Sequence, residues 1–148
     1  MADRATPALG LAEEMTLRAV QPLAERPVDR SVPVDLTGAM TGYIWGMTVH
    51  GMEALPVTVD KGQRVELVMR NTTMMAHPMH LHGHSFQVVA VGDRRFPGAI
   101  RDTVLVPPMT TVTVRFDADN PGLWAYHCHN LYHVAAGMFA TVAYRGFT

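Results

Sequence analysis

The stretch from Arg101 to His129, RDTVLVPPMTTVTVRFDADNPGLWAYHCH, predicts three β-strands separated by turns. Thr103–Val106 is a short apolar run that Pro107 and Pro108 end. Thr111–Phe116 alternates strictly between apolar and polar residues, as a strand with one buried face does. After the turn signal Asn120-Pro121-Gly122, Leu123–His129 predicts the third strand.

The same texture extends in both directions along the chain. Short β-prone runs bounded by turn residues recur at this spacing, whereas the sequence shows no convincing long helix. The pattern predicts an all-β sandwich or barrel. The further predicted strands are 31–36, 43–49, 57–60, 64–67, 85–91 and 138–144.

Length and composition limit the class of protein. The chain has 148 residues, of which 48% are hydrophobic and 17% charged, so we expect one domain with a core of its own. We interpret residues 1–31, which prolines punctuate, as a lead-in segment and residues 32–148 as the domain. The formal net charge of -1 argues against a nucleic-acid partner. No apolar run predicts a membrane span, and the sequence predicts no signal peptide within this chain.

Seven of the eight histidines lie in two short segments. The first is HPMHLHGH, residues 77–84, and the second is HCHNLYH, residues 127–133. A lone histidine is usually a surface residue or a hydrogen-bonded core residue. Seven of them beside the single cysteine, Cys128, indicate metal binding instead. One cysteine also excludes an internal disulfide framework.

Strand alternation divides the second segment between two faces. If Leu123–His129 is a strand, Cys128 points into the domain while His127 and His129 point away from it. His133 and Met138 follow in a loop that can fold back toward the sulfur, and Pro78 favours extended backbone at His77. Two imidazoles, a thiolate and a weak thioether are the ligands of a blue-copper centre, with zinc as the rival metal.

The outward-facing histidines predict a second kind of site. By the same alternation His80 and His82 share a face, as His127 and His129 do. Imidazole ligands without sulfur suit copper that reacts with oxygen. Four histidines exceed what one tetrahedral ion with an open position needs, so we expect them to form part of a multinuclear site.

The two histidine segments resemble the copper signatures of the C-terminal cupredoxin domain of multicopper oxidases, the laccase-like family that includes bacterial copper-resistance members. The resemblance covers residues 36–145, including Arg101–His129. It implies a cupredoxin-like Greek-key β-sandwich and a set of copper ligands. Type 1 copper would be bound by His77, Cys128, His133 and Met138, type 2 copper by His80, and type 3 copper by His82, His127 and His129. It implies no ligand role for His84 or His50.

The resemblance also implies an incomplete site. The family's trinuclear cluster takes eight histidines from two cupredoxin domains, and this chain supplies four. A second cupredoxin domain or another copy of the chain would complete it. Type 1 copper would then accept electrons from a phenol, a metal ion or a protein and pass them through Cys128 to a cluster that reduces O2. The isolated chain would be an incomplete oxidoreductase.

Two alternatives stay open at this point. One is a stand-alone electron-transfer or copper-carrier module, and the other is a nitrite-reductase-like oligomer with copper between subunits. Members of the parent family are periplasmic or secreted, so we expect such a location for the protein that carries this domain.

Overall fold

The computed structural model describes residues 11–39, 42, 44–53, 55–130, 133–134 and 136–146. Within these residues, strands dominate, and a 3-10 turn at Glu14–Thr16 precedes them. The strands are β1 (Arg30–Ala39), β2 (Ile44–Val49), β3 (Met52–Glu53), β4 (Val57–Val59), β5 (Arg64–Asn71), β6 (His77–Leu81), β7 (Phe86–Val91), β8 (Arg94–Arg95), β9 (Ile100–Arg101), β10 (Thr103–Val106), β11 (Thr111–Asp117), β12 (Leu123–Cys128) and β13 (Phe139–Tyr144).

These strands form two sheets that face each other. The first sheet has the order β3-β2-β1-β5-β11-β7-β8, with β9 also paired to β7, and the second has the order β10-β6-β12-β13-β4. The pairs β1–β5 and β13–β4 are parallel, and the other pairs are antiparallel. The fold is the predicted all-β, cupredoxin-like Greek-key sandwich.

The core lies between the inner faces of the two sheets. In β11, Val112, Val114 and Phe116 are fully buried, as the strict alternation of that strand predicts. The second sheet contributes Val104 and Val142, among others. The copper-type ligand candidates Cys128 and Met138 belong to this same buried cluster, so the core and the candidate site are continuous.

The predicted strands match the longer observed ones, with shifts of a few residues at their ends. The strand predicted to reach His129 ends at Cys128, and the start of the run predicted from Tyr43 lies outside the described residues. The two-residue strands β3, β8 and β9 have no sequence signal. They form because a neighbouring strand offers pairing partners, as β7 does for Arg95 and Arg101.

Residues 11–29 run along the first sheet and are tied to it by ion pairs. Arg26 forms an ion pair with Asp117 at 3.0 Å, and Arg64 donates a hydrogen bond to the Ala24 carbonyl at 2.8 Å. Glu14 is paired with Arg101 at 2.8 Å. The first strand begins at Arg30, close to the predicted domain start at residue 32. Among the described residues no helix is long and apolar enough to cross a membrane.

Candidate metal centre

The pairing of β6 with β12 brings the two histidine segments together. Cys128 lies opposite Met79, and His127 lies opposite His80. The burial of β6 alternates, so His77 and Met79 face the core while His80 faces outward. One strand pair therefore carries an inner group of ligand candidates and an outer group.

The inner group consists of His77, Cys128 and His133, all of which are 1% exposed or less. The two Nδ1 atoms are 3.1 Å apart, and they lie 3.8 Å and 3.6 Å from the Cys128 sulfur. A first-row ion bound to two nitrogens at about 2.0 Å and one sulfur at about 2.3 Å in a trigonal plane spaces its ligands by roughly 3.5 to 3.7 Å. The observed triangle fits such an ion.

Burial also shifts the pKa values of these three side chains. Desolvation, reinforced by the nearby His133, lowers the pKa of His77 to about 4, and desolvation lowers the pKa of His133 as well. Both imidazoles are thus favoured in the neutral form that binds metals. Burial raises the pKa of the Cys128 thiol, and the backbone N–H of Asn130 opposes this rise. A bound cation would stabilise the thiolate that burial alone disfavours.

Met138 and Trp45 enclose the inner group. Met138 is fully buried; its N–H donates to the His133 carbonyl at 3.0 Å, and its own carbonyl accepts from the Cys128 N–H at 3.2 Å. The backbone of Met138 is thereby held beside two of the candidate ligands. The Trp45 ring lies with its centroid 4.4 Å from that of His133 and 5.3 Å from that of His77. The inner group is thus dry and has an aromatic wall.

The outer group brings together the four remaining ligand candidates. The ring centroid of His80 lies 4.7 Å from the ring centroid of His82, 5.3 Å from that of His129 and 5.7 Å from that of His127. The Nε2 atoms of His82 and His127 are 3.0 Å apart, so these two nitrogens converge on one point. Desolvation, with His80, His127 and His129 nearby, lowers the pKa of His82.

Two of these rings are oriented by backbone carbonyls. His80 Nδ1 donates to the Asp102 carbonyl at 2.9 Å, and His127 Nδ1 donates to the Cys128 carbonyl at 2.8 Å. Each bond places the proton on Nδ1 and leaves Nε2 as the lone pair for a metal. His82 and His129 are exposed, so the outer group lies on the surface of the domain.

The other two histidines lie outside both groups. His84 is buried, with Nδ1 3.0 Å from the His82 carbonyl and Nε2 2.7 Å from the Tyr144 hydroxyl. His50 lies in a turn with φ of 52°. Neither belongs to the inner or the outer group of the described residues.

Two functional neighbours were missed from the sequence. Trp45 gives no signal, because it lies 32 residues before His77 and its contact with both histidines depends on how β2 packs. Thr73 lies 2.8 Å from His77 Nε2. The polar run Asn71-Thr72-Thr73 just before the first histidine segment was the signal that could have indicated it.

Comparison with known proteins also indicates a copper-binding domain. The family model described as multicopper oxidase matches residues 25–146. The chain is 41% identical over 139 residues to the multicopper oxidase MmcO of Mycobacterium tuberculosis, covering 92% of this chain and 27% of that protein. It is 39% identical over 119 residues to copper resistance protein A of Escherichia coli, covering 79% of this chain and 19% of that protein.

Solved structures agree on the fold. A multicopper oxidase from Campylobacter jejuni, described as a metallo-oxidase, superposes with a TM-score of 0.69 at 19% identity, over 82% of this chain and 31% of that one. At that identity the match concerns the fold alone.

The chain spans about a quarter of the length of MmcO and about a fifth of that of copper resistance protein A.

Proposed function

This chain belongs to the multicopper oxidase family, and from that premise we propose that it is the domain that takes up electrons and supplies half of the oxygen-reducing site. In this proposal His77, Cys128, His133 and Met138 hold type 1 copper. His80 serves type 2 copper, and the type 3 pair takes His82, His127 and His129. The family binds copper, and the described donor atoms fit it.

The observation that carries the proposal is the double role of Cys128. Its sulfur lies in the inner group, 3.6 Å from His133 Nδ1, while its carbonyl accepts the hydrogen bond of His127 Nδ1 in the outer group. The peptide bonds on either side join it to His127 and His129. One residue therefore links the two groups by covalent bonds and by one hydrogen bond.

The surrounding residues suit electron transfer rather than binding of a substrate at the inner group. His77, Cys128 and Met138 are fully buried, and Trp45 packs over both inner histidines. Copper bound there would supply a centre that gains and loses one electron. Burial excludes water from the inner group, and the paired strands β6 and β12 fix the backbone of His77 and Cys128.

The exposed outer group needs a partner. Four histidines at one surface provide half of the family's trinuclear site, so a second cupredoxin domain or another copy of this chain would supply the rest. O2 would be the electron acceptor, and a phenol, a metal ion or a protein the donor. The greater length of the relatives supports a second domain within a longer protein. We place that protein in the periplasm or outside the cell, as expected of the parent family.

The test combines copper content, native mass and oxygen uptake. We expect the monomeric chain to take up one electron per inner centre and then stop, with oxygen uptake appearing only when a second domain or a second copy completes the outer group. That uptake should disappear in His80→Ala and His127→Ala, whereas His50→Asn, in a turn outside both groups, should keep it. Light scattering measures the native mass, and an oxygen electrode measures oxygen uptake with a phenolic donor. Both are recorded at several protein concentrations, on chains of known copper content.

Two results would contradict the proposal. One is a strict monomer that reduces oxygen at the rate of a complete oxidase. The other is an oligomer whose oxygen uptake survives both histidine substitutions. A carrier module would instead bind about one copper per chain and show no uptake in any assembly.

A further inference from the structure

Thr73 lies behind the inner group, on the side of His77 away from Cys128. Its side chain is 2% exposed, and its hydroxyl oxygen lies 2.8 Å from His77 Nε2. A neutral imidazole carries one proton, on either Nε2 or Nδ1, and only the nitrogen without it can bind a metal. The state of His77 thus depends on whether Thr73 donates or accepts this bond.

The neighbours of Asn71 settle how its amide is oriented. One end of that amide lies 2.7 Å from the Met75 carbonyl and 3.0 Å from each of the Val106 and Pro107 carbonyls. Carbonyl oxygens only accept hydrogen bonds, so this end is the NH2 group. The other end is the carbonyl oxygen Oδ1, which can only accept.

The Thr73 hydroxyl therefore donates its proton to Asn71 Oδ1. Asn71 Oδ1 and Thr73 Oγ1 are 2.7 Å apart, and two oxygens at that distance need a proton between them. The hydroxyl supplies it, because Asn71 Oδ1 has none. The Met75 carbonyl, 3.1 Å from the Thr73 oxygen, can only compete for this same proton, because a carbonyl accepts hydrogen bonds and does not donate them. The two lone pairs of the Thr73 oxygen then face the Met75 N–H at 3.3 Å and His77 Nε2.

We propose that Thr73, held by Asn71, is a positioning residue that fixes His77 in the Nε2–H tautomer and so directs the Nδ1 lone pair toward Cys128. His77 Nε2 donates to Thr73, since that oxygen has only a lone pair to offer. Nδ1 is then the unprotonated nitrogen, and it lies 3.8 Å from the Cys128 sulfur and 3.1 Å from His133 Nδ1. In the metal-free protein the proton of that shorter contact therefore belongs to His133. The consequence for copper rests on the proposed function, whereas the tautomer does not.

The chain offers matched variants for the test. Thr73→Val keeps the shape of the side chain and removes the acceptor, and Thr73→Ser keeps the hydroxyl. Thr72→Val is the control from the same turn, because the Thr72 hydroxyl bonds the Leu36 carbonyl at 2.9 Å and no described bond joins it to His77. Thermal unfolding of each variant shows whether it has folded.

The first measurement is the ring nitrogen NMR of the metal-free protein. We expect His77 to be protonated at Nε2 in the unaltered chain, in Thr73→Ser and in Thr72→Val, and to populate the Nδ1–H tautomer in Thr73→Val. A protonated Nδ1 in the unaltered chain would overturn the proposal. This result is independent of copper, so it also stands apart from the proposed function.

The second measurement is the affinity for cupric ion in competition with a chelator. Loss of a partner that orients a metal-binding histidine typically lowers affinity about 10- to 100-fold. We expect that loss in Thr73→Val and not in Thr72→Val. Equal affinities in the two valine variants would overturn the positioning role. If His77 shows the expected tautomer but the copper-loaded chain never forms a blue-copper centre, the tautomer assignment stands and the proposed function is contradicted.

Discussion

Cys128 is the residue at which the two groups of ligand candidates meet. Its position follows from elementary strand geometry: in an alternating strand, a residue between two outward histidines must point inward. The described structure places the sulfur in the core and the carbonyl against His127. The same alternation makes any insertion within residues 127–129 disruptive, because it would exchange the inward and outward side chains.

Met138 provides a test of the axial position. We expect Met138→Leu to keep the blue colour and to raise the reduction potential, because a weak thioether donor to the oxidised metal is lost. The swap conserves volume, so it should cost less than about 1.5 kcal/mol of stability. Voltammetry of the copper-loaded protein measures the potential.

Met69→Leu is the matched control, since Met69 is a buried methionine on β5 in the other sheet. The reduction potential of Met69→Leu should equal that of the unaltered chain. An unchanged or lower potential in Met138→Leu, or loss of its colour, would exclude Met138 as axial ligand.

At the scale of single residues, the ligand candidates could be read from the sequence and their supports could not. Histidine spacing and strand period group His77 with Cys128 and the outward histidines with one another. The contacts of Trp45 depend on how β2 packs, and no local pattern in the sequence encodes that packing. Thr73 lies in the polar run four residues before His77. The carbonyls that orient its partner Asn71 come from Val106 and Pro107, far along the chain, so its role could not be read from that run alone.

The turn that follows β6 holds His82, one of the four outer histidines. Asn120 donates to the Gly83 carbonyl at 2.9 Å, and the Trp124 N–H donates to the Asn120 carbonyl at 2.8 Å. The Trp124 ring lies against Gly83, which has a positive φ of 73°. A side chain at this position would collide with the indole, so the turn needs glycine for space as well as for its backbone angle.

Gly83→Ala should therefore destabilise the protein more than an ordinary glycine turn does. Gly51 has a similar φ of 75°, but nothing lies within 4 Å of the place where its Cβ would be. We expect Gly51→Ala to cost about 1–2 kcal/mol for the left-handed backbone alone. Gly83→Ala adds overpacking, for a total of roughly 2–5 kcal/mol. Urea unfolding measures both, and equal losses would show that Trp124 does not restrict the turn.

At the scale of elements, the long strands were predictable because burial on one face imposes a period of two. The strand β6 was the exception among the site-bearing elements. Its sequence, HPMHL, contains a proline and two histidines that few strands would tolerate in a central position. It forms here because Pro78, half-buried on the outward side, lies opposite Leu105 of the edge strand β10, and the flanking residues complete the pairing.

At the scale of the whole molecule, the lead-in residues and the first sheet are joined through Asp117. Its carboxylate contacts Arg64, whose side chain is 1% exposed, and Arg26, whose side chain is 40% exposed. The hydrogen bond from Arg64 is the main reason that the pKa of Asp117 is lowered, with a smaller contribution from Arg26.

Removal of Arg64 should thus cost more than removal of Arg26. We expect Arg64→Met to lose roughly 2–4 kcal/mol, because a buried hydrogen-bonded partner is removed, and Arg26→Gln to lose about 0.2–1 kcal/mol, as exposed pairs do. Urea unfolding at neutral pH measures both. Equal losses would mean that the buried contact contributes no more than the surface one.

The contribution of Asp117 should also depend on pH. A lowered pKa in the folded state stabilises the protein above the unfolded value of about 3.9. That stability is lost as the pH falls through the lower folded value. The difference in unfolding free energy between the unaltered chain and Asp117→Asn should accordingly shrink on acidification below about pH 4. A difference that stays constant down to pH 2 would contradict this.

The fold and the grouping of the ligand candidates follow from this sequence, whereas the partner in our proposal does not. His82 and His129 are exposed and His80 and His127 are half-buried, so the outer group lies at the surface of the domain. The spacing of these histidines carries no information on whether a second domain or a second copy would complete the proposed site.

The visible spectrum of the copper-loaded chain decides whether the inner group is a blue-copper centre. We expect an intense thiolate-to-copper band in the red for the unaltered chain and its loss in Cys128→Ser, with the folded state of both checked by circular dichroism. The same band persisting in Cys128→Ser, or a folded, copper-loaded chain without it, would contradict the assignment of the inner group as a blue-copper centre.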